Sequence, residues 1–446
     1  MKEKIFKAYD IRGVYPEEID ENAAYKIARA YAAFLPDAKK IVVGADNRLS
    51  SPDIKEAVIK GLMDSKKEVI DIDLCTTPMF YFAVAHYNYD GGITITASHN
   101  PPKYNGLKLV RENAIPISGE TGIKDIKKIA LKGNFKEKGK GKRKKQKVLV
   151  DYLRYNLKKF KLSQFKNIKV VVDTANAVPG ILIPELKERF PGNICHLFAK
   201  LDGNFPNHAP DPMDEENIKD LKREVKNSKA KLGIAFDGDG DRISFVDEKG
   251  NTISSDLILA LISKILLKDY EGEKIMYDLR SSNVVKETIE KYGGEPVMGR
   301  VGHSFIKNRM RKEDILFSGE YSGLYYAKNQ YFFEAPLFVL FSICKEIAET
   351  KKTLSKLIEP YRKYYHSEEI NFEVDNKKKK IKEIKKEYND GKISEIDGLR
   401  VDYDKWWFSI RSSNTQPLLR LIVEAENEEL MKEKIDELKE EIRTCL

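Results

Sequence analysis

Gly91-Gly92-Ile93-Thr94-Ile95-Thr96-Ala97-Ser98-His99-Asn100-Pro101-Pro102-Lys103-Tyr104-Asn105-Gly106-Leu107-Lys108 is the run that decides the fold. Its β-branched Ile93–Thr96 segment predicts a strand with alternating side chains, and Asn100-Pro101-Pro102 has to end it. Ser98 then sits on a turn just past a strand's C-terminal end, where open α/β sheets place their ligand chemistry. On the N-terminal side, Ile41-Val42-Val43 and Val69–Asp73 predict two further strands, with helical spacing between them. Ser51 reads as the N-cap of the first helix, with Pro52 at its first position and Asp53 in its first turn. Such alternation predicts a largely parallel α/β sheet across residues 1–147.

Three more units follow. Residues 148–249 open with a helix near Asp151–Leu162 and a buried strand at Ile168–Asp173. They close with two short strands, Leu232–Phe236 and Ile243–Val246, on either side of an acidic turn. Residues 250–362 predict a helix at Asp256–Leu267 and strands at Lys274–Tyr277, Pro296–Met298 and Ile315–Phe317, then a helix at Glu334–Glu349. Residues 363–446 predict strands at Glu369–Val374, Leu399–Tyr403, Trp406–Ile410 and Leu418–Glu424, with helices at Lys377–Tyr388 and from Glu428. Their strands come in succession, so this unit reads as α+β.

A chain of 446 residues is too long for one core. Its 41% hydrophobic and 33% charged residues exclude a disordered chain. The net charge of +9 suggests a nucleic-acid partner until it is located. Residues 136–147 hold eight basic residues and one acidic, leaving little elsewhere. One Gly-containing run without interleaved aromatics reads as a solvated loop, not a nucleic-acid face. The four cysteines, Cys75, Cys195, Cys344 and Cys445, form no C-x-x-C pair, which suits reduced thiols and speaks against zinc. The N-terminus lacks the apolar core of a signal peptide, and the greasy runs Leu257–Leu267 and Pro336–Cys344 are too short or interrupted to span a bilayer. The expectation is a soluble, cytoplasmic protein.

Asp237-Gly238-Asp239-Gly240-Asp241-Arg242 is the second strong feature. Three carboxylates separated by glycines repel one another unless a cation offsets them. Glycine lets the backbone curl until their oxygens converge on one hard ion, Mg²⁺ when a phosphate completes the shell. The alternatives are a plain acidic turn and an EF-hand, which fits poorly because Arg242 stands where that loop needs glycine and both flanks read as strands. Ser98 with His99 as base would make a hydrolase. Neighbours in extended chain point to opposite faces, however, and no G-x-S-x-G elbow is present. A serine that carries a phosphoryl group needs a cation and an in-line partner instead. Arg411-Ser412-Ser413-Asn414-Thr415-Gln416-Pro417 offers a turn dense in donors for a dianion, and Glu320 with Ser322 suits vicinal hydroxyls.

Together and in this order, these motifs resemble the α-D-phosphohexomutase family of the phosphomannomutase/phosphoglucomutase type. The likeness runs from Ala8–Gly13 through Thr96–Pro101, Tyr104–Lys108, Asp237–Arg242, Gly299–Lys307 and Gly319–Gly323 to Arg411–Pro417. It implies four domains around a central cleft: three related α/β sandwiches with mixed sheets and a smaller C-terminal α+β domain. It implies that Ser98 is the phosphoserine and joins Asp237, Asp239 and Asp241 around one Mg²⁺. Tyr9, Arg12, Lys108, Arg242 and His303 match positions at the reaction centre, with Arg12, Lys108 and His303 the candidates for proton transfer and charge stabilisation. Glu320 and Ser322 match the sugar-recognition loop, Arg411, Ser413, Asn414 and Thr415 the loop that holds the other phosphate, and Arg280 falls where relatives often carry a cationic residue, which puts it among the substrate-binding candidates.

The implied reaction interconverts hexose 1-phosphate and hexose 6-phosphate of glucose and mannose through a hexose 1,6-bisphosphate. The enzyme would be a monomer or homodimer acting on a phosphosugar, with no nucleic acid or membrane partner. Leu324, Gln416 and Val301 depart from the family pattern, which touches sugar preference more than reaction type. The alternatives are a phosphoglucosamine or phosphoacetylglucosamine mutase, though Gln in place of Tyr321 would have favoured the former. A metal-dependent sugar nucleotidyltransferase would also use Asp-x-Asp, but no Gly-rich nucleotide loop accompanies it.

Overall fold

Residues 1–135, 139–412 and 418–443 are described by a computed structural model. They form two compact units, one of Met1–Ser254, Lys307–Asp314 and Ser322–Ser355, the other of Ser255–Ile306, Ile315–Tyr321 and Lys356–Leu446.

The first unit begins with β1 (Ile11–Val14), α1 (Glu21–Phe34), β2 (Lys40–Ala45), α2 (Ser51–Asp64), β3 (Glu68–Leu74), α3 (Thr77–His86), β4 (Gly91–Ile95), β5 (Tyr104–Arg111), α4 (Lys124–Lys132) and β6 (Lys142–Lys145). The strands run in the order β1-β5-β4-β2-β3-β6. Those from β4 to β6 are parallel, while β5 lies antiparallel to both β4 and β1. The sheet is thus mixed, and the turn joining β4 to β5 is the Ser98 stretch. Helix α1 starts where the Asp20 carboxylate accepts the Ala23 amide at 2.7 Å. Its buried face, Ala23, Ala24, Ile27, Ala28 and Tyr31, repeats at helical spacing. It lies so close to α2 that a Cβ at Gly61 would fall 2.7 Å from the Tyr25 carbonyl.

The second sheet carries α5 (Leu149–Leu157), β7 (Lys169–Asp173), α6 (Leu182–Arg189), β8 (Asn193–Leu197), α7 (Lys219–Asn227), β9 (Leu232–Phe236), β10 (Ile243–Asp247) and β11 (Thr252–Ile253), with strand order β11-β10-β9-β7-β8. Phe236 pairs with Ile243 across the antiparallel β9–β10 ladder, so Asp237–Arg242 is the hairpin turn itself.

In the second unit, α8 (Ser255–Leu267), β12 (Lys274–Asp278), α9 (Asn283–Lys291) and β13 (Glu295–Gly299) lead to α10 (His303–Glu313), which passes from the second unit to the first at Lys307, and then to β14 (Phe317–Gly319). Strands β13 and β14 flank β12 in parallel. Next, β15 (Tyr325–Ala327) and α11 (Pro336–Thr350) belong to the first unit, and α12 (Leu354–Ile358) leads on. The C-terminal sheet holds β16 (Tyr365–His366), β17 (Ile370–Glu373), β18 (Lys392–Ser394), β19 (Leu399–Asp402), β20 (Trp406–Ser412) and β21 (Leu418–Ala425). Its core joins Leu399, Val401, Phe408, Ile410, Leu419 and Leu421 to Ile384 of α13 (Lys377–Glu387) and Leu438 of α14 (Glu428–Arg443). This is the expected α+β arrangement.

Several expectations shift. Ser50, not Ser51, is the N-cap position of α2, because the Ser51 hydroxyl is turned to Asp46 at 2.6 Å. The strand expected at Ile315–Phe317 lies at Phe317–Gly319, and α11 waits for Pro336 at its first turn. Within the basic run, Lys142–Lys145 is not loop but the exposed last strand of the first sheet, parallel to Glu68–Asp71. Its Arg143 is drawn in by Asp71 at 2.6 Å and Glu56 at 2.9 Å. Lys136, Glu137 and Lys138 lie outside the described residues.

Candidate active site

The β4–β5 turn lifts Ser98 into a left-handed conformation, φ 51°, with only 2% of its surface exposed. Its amide donates to Thr96 Oγ1 at 2.9 Å, and its hydroxyl donates to Asp237 Oδ2 at 2.6 Å. The positive φ also overturns one expectation. Ser98 and His99 do not point apart as they would in extended chain, and Ser98 Oγ lies 3.3 Å from His99 Nδ1. Yet the Arg242 charge, with burial and Arg12 behind it, pulls the His99 imidazole down to about 2, which leaves it a poor base.

The hairpin turn supplies the acid cluster. Asp237, Asp239 and Asp241 are all buried, with one oxygen from each lying within 4.8 Å of the others. Asp237 Oδ1 accepts the amides of Asp241 and Arg242, which closes the turn. Gly238 is required by contact, since a Cβ there would sit 2.3 Å from the Ser98 carbonyl. Lys108, projecting from β5, donates to Asp239 Oδ2 and Asp241 Oδ2 at 2.6 Å each. Thr77 at the start of α3 donates its hydroxyl to the same Asp239 oxygen at 2.6 Å, and its amide to the Asp239 carbonyl.

These contacts separate the protonation of the carboxyls. Burial, then the like charges of Asp241 and Asp239, push Asp237 well above the usual carboxylate range. Burial would raise Asp239 too, but the Lys108 ammonium outweighs it and holds Asp239 low. Lys108 is in turn held well above its ordinary value, the two aspartates overcoming its own burial. Asp239 Oδ1 and Asp241 Oδ1 are buried without a hydrogen-bond partner. Three carboxylates against one ammonium, all hard oxygen donors with two oxygens to spare, fit a divalent cation such as Mg²⁺. On the same side of the first unit, Arg12 on β1 donates to Asn100 Oδ1 and Asp10 Oδ2 at 2.5 Å each, and half-buried Tyr9 precedes that strand. Arg242 pairs through its backbone with Leu324, two residues after Ser322.

The other expected residues belong to the second unit. Arg280 is locked to Asp278, with Nε and Nη2 donating at 3.2 and 2.6 Å, and its guanidinium lies 3.8 Å from Glu320 Oε2. That Glu320 oxygen also accepts the Gly302 amide at 3.2 Å. His303 begins α10 and is half-buried. Arg411 is not in a turn: it continues β20, where its Nη2 donates to Glu369 at 3.1 Å. Burial and the like charge of Arg280 lower its pKa, as expected of two cations gathered on one side. Ser413, Asn414 and Thr415 lie outside the described residues.

Three contributors escaped sequence reading. Thr77 had a signal, a Thr-Thr-Pro helix start at Thr76–Pro78. Asp278, which also accepts the Tyr321 amide at 2.9 Å, and Arg48, which grips the Ser98 turn, had none strong enough.

Sequence models of one family match the chain end to end. Phosphoglucomutase/phosphomannomutase alpha/beta/alpha domain I matches residues 3–137, domain II residues 149–250, domain III residues 254–364, and the C-terminal domain residues 369–441. The chain belongs to the phosphoglucomutase/phosphomannomutase family. Among relatives of this family, it is 42% identical to a phosphomannomutase of Methanocaldococcus jannaschii over 98% of this chain and 96% of that protein. It is 41% identical to a phosphomannomutase of Vibrio cholerae, covering 97% of each. A solved phosphoglucomutase/phosphomannomutase family protein from Burkholderia thailandensis superposes with a TM-score of 0.92 at 32% identity, over 100% of this chain and 98% of that one.

Proposed function

We propose that the protein is a phosphohexomutase that interconverts the 1-phosphate and 6-phosphate of glucose and mannose. Phospho-Ser98 is the phosphoryl carrier, and a hexose 1,6-bisphosphate is both intermediate and activator. The observation that carries this reading is the Ser98 hydroxyl, 2.6 Å from Asp237 within a buried three-aspartate cluster. A hydrolase would need a base at that hydroxyl, and His99 is held neutral and weakly basic beside Arg242. Mg²⁺ on Asp237, Asp239, Asp241 and the Ser98 phosphate would neutralise charge on the transferring group.

In the forward half-reaction, the bond from phosphorus to Ser98 Oγ breaks as a bond to a sugar hydroxyl oxygen forms; the sugar hydroxyl gives up its proton and Ser98 Oγ takes one up, ending as a free hydroxyl. Lys108, Arg12 and Arg242 stabilise the charge; of the proton-transfer candidates Arg12, Lys108 and His303, Lys108 is kept charged by Asp239 and Asp241 and so stabilises charge instead of acting as the base. The bisphosphate then turns end for end and its other phosphoryl returns to Ser98. Glu320 and Ser322 read sugar hydroxyls, with Arg280 a further substrate-binding candidate. Arg411, Ser413, Asn414 and Thr415 hold the non-reacting phosphate, with the Arg411 guanidinium chemically able to bind it through two bonds. Hydroxyls common to glucose and mannose account for acceptance of both. We place domain boundaries near residues 147, 249 and 362, and the protein in the cytoplasm as a monomer or homodimer.

A turnover panel tests this reading: glucose, mannose, glucosamine and N-acetylglucosamine 1-phosphates, each with a catalytic amount of hexose 1,6-bisphosphate and Mg²⁺. Glucose and mannose phosphates should turn over at least about tenfold faster than the amino sugars, a gap one differential contact supplies. The reverse order would move the chain to the phosphoglucosamine type.

A further inference from the structure

Arg48 is 1% exposed, and every N–H of its guanidinium is used. Nη2 donates to the carbonyls of Ser98 and Asn100 at 2.7 Å each. Nη1 donates to those of Pro101 at 2.8 Å and Tyr104 at 3.1 Å. Nε donates to Asp46 Oδ2 at 3.1 Å. Asp46 is itself fixed, its other oxygen receiving the Ser51 hydroxyl at 2.6 Å and the Arg48 amide at 3.1 Å. The Phe205 ring lies 5.2 Å from the guanidinium and shields it.

A left-handed serine costs about 1 kcal/mol against the ordinary conformations, and something must hold it there. The carbonyls gripped by Arg48 are three of the Ser98 turn, those of Ser98, Asn100 and Pro101, and that of Tyr104 where β5 begins. Lysine has three donors on a freely rotating ammonium and cannot reproduce a planar five-donor fork.

We propose that Arg48 is a positioning residue for phosphoryl transfer, holding the Ser98 turn in the left-handed shape that aims its Oγ at the three-aspartate cluster. The proposal rests on Ser98 as the phosphoryl carrier, and the experiment separates the two. Arg48→Lys protein is compared with the unsubstituted enzyme for melting temperature, for kcat and KM with glucose 1-phosphate, and for the single-turnover rate at which glucose 1,6-bisphosphate phosphorylates Ser98.

Misplacing a reacting atom by about 1 Å costs on the order of 100-fold, so kcat and the single-turnover rate should fall together by roughly that factor. KM should stay within about threefold, because the Arg48 guanidinium bonds run to Asp46, the Ser98 turn and Tyr104. A folded Arg48→Lys protein with unchanged kcat, or one whose loss lies in KM alone, overturns the proposal. Should that variant not fold, Asp46→Asn loosens only the Nε anchor, and it should lower kcat roughly tenfold at constant KM; unchanged kcat there also overturns it. Unsubstituted enzyme whose Ser98 takes no phosphate from the bisphosphate sinks the carrier assignment instead.

Discussion

Ser98→Ala protein is expected to keep its fold and to lose turnover by roughly four orders of magnitude or more, the scale on which removing a covalent nucleophile acts. The fold should survive because the turn around Ser98 is held from outside. Arg48 grips three of its carbonyls and that of Tyr104, and the Ser98 amide, not its hydroxyl, bonds Thr96. Asp237 loses one donor but keeps the amides of Asp241 and Arg242. Intact mass should show a sub-stoichiometric phosphate on the unsubstituted protein, mapping to Ser98, and none on the variant. A Ser98→Ala protein that still carries that phosphate refutes the assignment.

Lys108→Met should have the largest effect on stability. Its ammonium lies 2.6 Å from two buried aspartates and is itself 7% exposed. Deleting one partner of a buried ion pair costs about 3–5 kcal/mol, which lowers the melting temperature by roughly 10 °C. Mg²⁺ should recover part of that loss, since it supplies the missing positive charge, and a chelator should harm the variant more than the parent. The pH dependence has a defined sign in metal-free protein. Asp239 is lowered, so its contribution is present above the unfolded carboxylate value of about 4 and lost as pH falls through its folded value. Lys108 is raised, so its contribution is full below about 10.4 and lost only as pH climbs through a higher value. Between those limits the pair is charged and adds no slope. Asp237 is raised and therefore weakens the fold above about 4, an effect relieved on acidification. With Lys108 gone, Asp239 joins Asp237 in that behaviour, and the variant's melting temperature should rise from pH 7 to pH 5. A flat or falling profile would contradict the counter-ion role.

The parts of this site that were legible before the structure are those written in contiguous sequence. Asp237–Arg242 carries its own glycines and flanking strands, so both the turn and its converging carboxylates follow from local chemistry. Ser98 was legible as a serine past a strand end, but its left-handed backbone was not, and so its contact with His99 was misjudged. Arg48 and Thr77 act across 50 and 162 positions of chain, and nothing within their own neighbourhoods says which loops they will meet. Arg411 was placed in a turn because donors cluster after it, yet the β20–β21 ladder carries it, pairing Arg411 with Arg420. Strand ends drifted where a tertiary partner decides them: Phe317 and Ser318 form the strand because Ile275 and Met276 of β12 stand opposite them.

The exposed strand Lys142–Lys145 ends the first sheet, with Glu68–Asp71 on one side and no further strand beyond it among the described residues. An open sheet border is a template on which any other extended chain could polymerise. Four consecutive cations make that border repel a copy of itself, and Lys side chains are the usual guard.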